Sequence, residues 1–273
     1  IGGATAWGSG ASSNKHTIAG VLEKIYNNQK TKGKRIRVFN LAQINGTQTQ
    51  DILNTVLFVS KIKPKIVVSL TGWNELISTD IMSNEMLYKY RVFGIGEMQE
   101  FSLLQTKGKS YEKFKESFYH LGSKYFETIK MMTFLLPPDT RQPRKMEEKI
   151  DIGTEIFLEN LENLIKLQKA YNFTHYQFMQ PHLYSKLSLS PDEQNVIELY
   201  DNIRPINGGV EVGNFLRKTN IYYGIISNTI KNKSKYGRVI DLSDIFKYTK
   251  DERHFTLVHL NDQGYNDVAK QIH

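Results

Sequence analysis

Short apolar runs alternate along this chain with longer segments in which apolar residues recur every three or four positions. The clearest run is KIVVSL at residues 65–70, which follows Pro64 and is typical of a buried strand. Further strands are predicted at residues 35–41, 174–179 and 238–242. Helices are predicted at residues 16–29, 48–61, 152–171, 191–202, 211–229 and 261–272. Strands that alternate with helices indicate a parallel sheet joined by crossover helices, which is the α/β class.

The predicted helix at residues 48–61 has its apolar residues on one side, at Ile52, Leu53, Val56 and Leu57. This spacing is typical of an amphipathic helix that turns its apolar side toward a core. The helix predicted at residues 152–171 shows the same pattern over a longer stretch.

Between residues 78 and 150 the alternation of strands and helices is interrupted. This segment is irregular, rich in Tyr, Phe, Met and Lys, and ends in the proline-containing stretch 137–143. We therefore predict one domain over residues 1–273 with a helical insertion or lid at 78–150. Its aromatic residues could form a wall for a sugar or an acyl group, but aromatic residues at helical spacing are also typical of a packed core. The aromatic residues in question are Tyr88, Tyr90, Phe93, Tyr111, Phe114, Phe118 and Tyr119.

The net charge of +8 changes the expected partners little. The lysines lie in short groups around predicted turns, such as KTKGKR and KNKSK, which is typical of solvated loops. Neither a recognition helix nor an aromatic RNA-binding motif accompanies them, so we expect no nucleic-acid partner.

The chain contains no cysteine, which excludes disulfides, thiolate metal sites and a cysteine nucleophile. His16, His175 and His182 lack the paired spacing of metal ligands, so no metal site is predicted. No apolar run approaches the length that spans a membrane. Because a strand is already ending at Ile1, we expect upstream residues, and any signal peptide or membrane anchor would lie among them.

Polar or glycine-containing loops follow several of the predicted strands. In open α/β sheets, sites form beyond the carboxyl ends of the strands, so loops that are distant in sequence can meet there. We expect four such loops to form one site: Gly3-Ala4-Thr5, Gly46, Gly72-Trp73-Asn74 and Val258-His259-Leu260.

These loops carry a resemblance to the SGNH/GDSL-type hydrolases. IGGATAWGSG at residues 1–10 resembles the first characteristic block of that family, in which a strand and a short turn lead into a serine. FNLAQ at 39–43, followed by Gly46, resembles the second block, and GWNE at 72–75 resembles the third. VHLNDQGY at 258–265 looks like the last block. FMQP at 178–181 is similar to a segment of a carbohydrate-associated branch.

The resemblance implies a flavodoxin-like three-layer sandwich with a central parallel sheet, and an ester hydrolase that uses a serine nucleophile. It places the nucleophile at position 4 and the general base at His259, with the Gly46 amide and the Asn74 side chain as the oxyanion hole. Asn74 could instead simply close a turn. No cofactor is implied. The implied substrate is an acyl ester, including the acetyl esters of carbohydrates. We expect a location outside the cytoplasm or at the membrane of a bacterium, and any membrane attachment would come from upstream residues.

Two positions depart from the family pattern. Position 4 is Ala4, which has no hydroxyl, and Thr256 stands where the family has an aspartate that orients the histidine. A deliberate Ser-to-Ala change, a naturally inactive relative and an error in the sequence would each account for Ala4. Thr5 and Ser9 are displaced along the turn, where such residues cap or tighten it rather than replace the nucleophile.

Two functions follow from the sequence. The first is an O-acyl ester hydrolase or acyltransferase whose chemistry is interrupted by Ala4, because no other group supplies a covalent attacking oxygen. The alternative is a natural pseudoenzyme that keeps the scaffold as a binding or assembly module.

Overall fold

The computed structural model describes residues 1–28, 35–81, 145–201, 212–232, 236 and 238–273. The insertion predicted at 78–150 lies largely outside the described residues, and its seven aromatic residues named above lie outside them entirely.

A parallel sheet forms the centre of the described structure. Its strands are β1 (Ile66–Thr71), β2 (Thr174–Met179) and β3 (Val239–Asp241), in the order β1-β2-β3. The register pairs Ile66 with Thr174 and Gln177 with Val239. On the side of β1 away from β2, Gly2 forms a parallel bridge with Leu70. All these segments are parallel, so their carboxyl ends lie at the same end of the sheet. The α/β class predicted from the sequence is confirmed.

The described helices match most of the predicted ones within a few residues. They are α1 (Ala4–Trp7), α2 (Ile18–Asn28), α3 (Gln48–Asn54), which continues through a wider turn into α4 (Ser60–Ile62), α5 (Trp73–Ile81), α6 (Met146–Tyr171), α7 (Pro191–Asp201), α8 (Val212–Lys231) and α9 (Asp262–Ile272). None of the described helices combines the length and apolar character needed to cross a bilayer.

Helices pack on both faces of the sheet. Phe178 packs in a buried cluster with Tyr265 of α9, whereas its neighbour Met179 packs in another cluster with Phe157 of α6. Because successive side chains of a strand point to opposite faces, these two clusters lie on opposite sides of the sheet.

The strand predicted at residues 35–41 is wrong for the described structure. Residues 35–40 form no ladder with any described strand. The Ile36 N–H donates to Oδ1 of Asn27 at 2.9 Å, and the Val38 N–H donates to a carboxylate oxygen of Glu23 at 2.9 Å. Side chains of α2 therefore satisfy backbone groups that a strand would pair with its neighbour.

The apolar side expected to face the core on the helix at 48–61 is largely exposed. Leu53, Val56 and Leu57 are exposed, and the buried positions of α3 are Gln48, Asp51 and Asn54. The side chain of Asn54 donates to the Leu41 carbonyl at 3.0 Å and so fixes the loop that precedes α3. Gln48 Nε2 donates to Oε1 of Gln177 in β2 at 3.2 Å, so the buried side of α3 makes polar contacts with both a loop and the sheet.

Candidate active site

Position 4 lies at the carboxyl edge of the sheet. Ala4 begins α1 directly after the Gly2 bridge and is 9% exposed. The helix ends after one turn because Gly8 adopts a left-handed conformation with φ of 105°, which favours glycine. The Gly8 and Ser9 N–H groups both donate to the Ala4 carbonyl at 3.0 Å. The strand-to-helix turn therefore fixes the backbone of position 4.

The loops of Gly3, Gly46 and Asn74 meet beside position 4. A Cβ atom on Gly3 would lie 2.6 Å from Nδ2 of Asn74 and 3.0 Å from the Gly46 carbonyl oxygen. Asn74 Nδ2 donates to that same carbonyl at 2.8 Å. The close approach requires glycine at position 3, and it brings together three of the four loops singled out in the sequence.

The Gly46 amide is already paired. Its N–H donates to the Gln43 carbonyl at 3.0 Å. A backbone amide has one hydrogen, so Gly46 could bind an oxyanion only by sharing that hydrogen or by losing this turn. The side-chain amide of Asn74 carries two hydrogens, and its bond to Gly46 uses one of them.

The carboxylate of Glu75 joins the loop of Gly46 to the loop of Gly72. Its side chain is fully buried, and its carboxylate accepts from the Gly72 N–H at 2.9 Å and from the Gln48 N–H at 2.7 Å. Burial raises the pKa of Glu75. The sequence analysis included Glu75 only as the end of the GWNE block and missed this linking role.

The loop that carries His259 reaches the same turn. The hydroxyl of Thr5, a buried residue, donates to the Val258 carbonyl at 3.2 Å. A Cβ atom on Gly10 would lie 2.7 Å from the Leu260 carbonyl oxygen, which shows a second close contact between the two segments. The residues that flank Ala4 therefore contact the other three loops: Gly3 contacts the loops of Gly46 and Asn74, and Thr5 contacts the loop of His259.

Thr256 lies directly against His259. Its Oγ1 is 3.0 Å from Nδ1 of the imidazole, and it accepts from the His259 N–H at 3.1 Å. Burial lowers the pKa of His259 to about 4, so the ring is neutral at pH 7. Position 256, where the resemblance predicts an aspartate, therefore still supplies a hydrogen-bonding partner to the ring, but one without charge.

A buried ion pair contacts the backbone of the segment that leads into the His259 loop. Lys186 pairs with Glu193, and both side chains are fully buried. The other carboxylate oxygen of Glu193 accepts from the Arg253 N–H at 3.0 Å and from the His254 N–H at 3.2 Å. Neither charged residue was singled out in the sequence, because only the folded chain shows that they are buried.

The remaining candidates have other contacts. Thr5 is occupied by its bond to Val258, and the Ser9 carbonyl accepts from the Tyr265 hydroxyl at 2.6 Å. His175 Nε2 lies 2.8 Å from the Ser69 hydroxyl, while the His182 ring packs against Tyr223 with centroids 4.6 Å apart. His16 Nδ1 lies 2.9 Å from a carboxylate oxygen of Asp262. Over the described part of the chain, no three His, Asp or Glu side chains gather as metal ligands.

Comparison with known proteins assigns this chain to no family. No family model matches the chain, and no curated protein matches it. Among solved structures, the acetyl xylan esterase AlAXEase is 9% identical with a TM-score of 0.46, over 99% of this chain and 94% of that chain. LAE5, an alpha/beta hydrolase enzyme from the metagenome of Lake Arreo, Spain, is 12% identical with a TM-score of 0.45, over 100% of this chain and 90% of that chain. At such identities and TM-scores, neither similarity indicates a site or an activity.

Proposed function

We propose that this chain is an SGNH-type ester-hydrolase scaffold, with a flavodoxin-like three-layer architecture, whose nucleophile position is held by Ala4. The function is hydrolysis or transfer of an O-acyl group, interrupted in this sequence by the missing hydroxyl. The observation that supports it best is the set of contacts around position 4. Gly3 touches Asn74 and Gly46, and Thr5 is hydrogen-bonded to Val258.

With serine at position 4 and no hydrogen on Nε2 of His259, the residues of this chain would divide the reaction between them. The hydroxyl gives its proton to Nε2 of His259 while its oxygen attacks the ester carbonyl carbon. The tetrahedral oxyanion takes a hydrogen bond from the second hydrogen of Asn74 Nδ2, and the Gly46 amide joins by sharing its hydrogen. The alcohol then leaves with the proton from His259, and water or a second alcohol removes the acyl group from position 4.

The substrate we propose is an acyl ester, with acetylated carbohydrate as the first class to test. The segment 78–150 follows the Asn74 loop along the chain, and we propose that it forms the lid that selects the substrate. No step of this reaction requires a cofactor.

A natural binding or assembly module is the second candidate. The contact between Thr256 and His259 favours it, because Thr256 is a second departure that a single Ser-to-Ala change does not explain. In that case the site would retain its shape for binding, and serine at position 4 would restore no chemistry.

The test compares the chain with Ala4→Ser and with Ala4→Ser/Thr256→Asp on short-chain acyl esters and acetylated sugars. Activity in the double variant that disappears on adding His259→Ala supports the interrupted enzyme. His16→Ala is the matched control, since His16 is exposed and should leave the activity unchanged. If every variant is folded and none hydrolyses any ester of the panel, the binding module is favoured.

A further inference from the structure

The hydroxyl of Thr256 has three polar neighbours, all within its own loop. Its Oγ1 accepts from the His259 N–H at 3.1 Å and from the Val258 N–H at 3.4 Å. The third neighbour is Nδ1 of the His259 imidazole, at 3.0 Å. These contacts form a compact turn in which one oxygen bonds both the backbone and the ring of the same histidine.

The hydrogen inventory of this hydroxyl favours one direction for the third bond. A threonine hydroxyl has two lone pairs and one hydrogen. The two backbone N–H groups can only donate, and together they occupy both lone pairs. The hydroxyl hydrogen then has one acceptor among the described residues, Nδ1 of His259.

We propose that Thr256 is a positioning residue that donates its hydroxyl hydrogen to Nδ1 of His259 and so holds the ring with its own hydrogen on Nε2. A neutral imidazole carries one N–H, so an accepting Nδ1 requires a protonated Nε2. Aspartate at this position would act in the opposite sense, because a carboxylate only accepts and would draw the hydrogen onto Nδ1.

The consequence for catalysis rests on the proposed function. Nε2 would have to accept a proton from serine at position 4, and in the tautomer held by Thr256 it already carries one. Restoring the serine alone therefore leaves the base in the wrong form. In a serine hydrolase whose aspartate is replaced by a neutral partner that imposes this tautomer, turnover falls about 10⁴-fold. Ala4→Ser should accordingly be slower than Ala4→Ser/Thr256→Asp by up to about that factor.

The tautomer itself can be measured without any activity. The full chain is prepared with ¹⁵N-labelled histidine, and long-range ¹H–¹⁵N correlation spectra are recorded at neutral pH. His259→Gln identifies the signals of His259 among the 7 histidines. Thr256→Ser keeps the hydroxyl, Thr256→Val removes it with little change of shape, and Thr256→Asp replaces it by a carboxylate.

We expect Nε2 to carry the hydrogen in the chain as it stands and in Thr256→Ser, and Nδ1 to carry it in Thr256→Asp. In Thr256→Val the proportion of the Nε2–H form should fall. A hydrogen on Nδ1 in the unsubstituted chain would overturn the proposal, as would an unchanged proportion in a folded Thr256→Val variant. If the tautomers follow this pattern but Ala4→Ser/Thr256→Asp hydrolyses no ester, the positioning role stands and the proposed ester hydrolysis fails.

Discussion

The hydroxyl of Thr5 donates a hydrogen bond to the carbonyl of Val258 at 3.2 Å, across 253 residues of sequence. This bond joins the residue after Ala4 to the residue before His259. The first and last predicted motifs of the chain are therefore held together by a residue that neither motif identifies as functional. Thr5 carries a hydroxyl like a nucleophilic residue, but that hydroxyl bonds the two segments together.

Replacing Thr5 by valine should destabilise the fold by about 1–3 kcal/mol, because the buried Val258 carbonyl would lose its partner. Thr5→Ser keeps the hydroxyl and should cost less. Chemical denaturation of both variants measures the difference. Equal stability of Thr5→Val and the unsubstituted chain would show that this bond contributes nothing.

Gly3→Ala should destabilise the chain by about 1–3 kcal/mol, since the added Cβ would lie 2.6 Å from Asn74 Nδ2 and 3.0 Å from the Gly46 carbonyl oxygen. Gly224→Ala is the matched control. Gly224 lies within α8, and a Cβ atom there meets nothing within 4 Å. The control should be more stable by about 0.5–1 kcal/mol, because alanine favours a helix over glycine. Thermal unfolding of both variants distinguishes opposite signs, and a stable Gly3→Ala variant would contradict the close approach.

Asp51 should make stability fall as the pH rises. Burial raises the pKa of Asp51 to about 7, and the Glu75 carboxylate adds to the rise. The folded chain therefore keeps a proton that the unfolded chain releases near pH 4, and the unfolding free energy decreases between about pH 4 and pH 7. At about 1.4 kcal/mol per pKa unit, this group accounts for about 4 kcal/mol at most.

Asp51→Asn cannot ionise at position 51, so its unfolding free energy should fall less between pH 5 and pH 8 than that of the unsubstituted chain. The matched control is Asp244→Asn, because the Asp244 side chain is 62% exposed. Denaturation curves at the two pH values give the comparison. The same pH dependence in Asp51→Asn and in the unsubstituted chain would show that Asp51 ionises normally in the fold.

Glu193→Gln should cost about 3–5 kcal/mol, because it leaves the buried Lys186 without its counter-ion. Adding Lys186→Met removes the unpaired charge and should recover part of that loss. Glu198→Gln, at an exposed position of α7, is the control and should change stability little. If Glu193→Gln unfolds like the control, the pair does not support the His259 loop as the structure suggests.

The local pattern of the sequence predicted the sheet best where strands are buried. KIVVSL was predicted at residues 65–70 and forms β1 over Ile66–Thr71, and the predicted bounds of β2 match Thr174–Met179. Residues 35–41 carry similar apolar residues, but a strand also needs a neighbour. Residues 35–40 bond instead to side chains of α2.

The site depends on relationships that a linear pattern does not show. The sequence indicated which loops could meet, because their motifs follow strands. It did not show that the Gly46 amide is already bonded to Gln43, or that the polar side of α3 is the buried one. The burial of Glu193 is likewise a tertiary property, since any acidic residue near a helix start resembles a cap.

The carboxylate of Glu75 receives the amide hydrogens of Gln48 and Gly72, which belong to two different loops. Neither amide can exchange its hydrogen with solvent while the carboxylate stays in place. Exchange at the two positions should therefore report a single opening event, with one common opening free energy and one dependence on denaturant. Glu75→Gln would separate them, because a side-chain amide has only one acceptor oxygen for the two backbone groups.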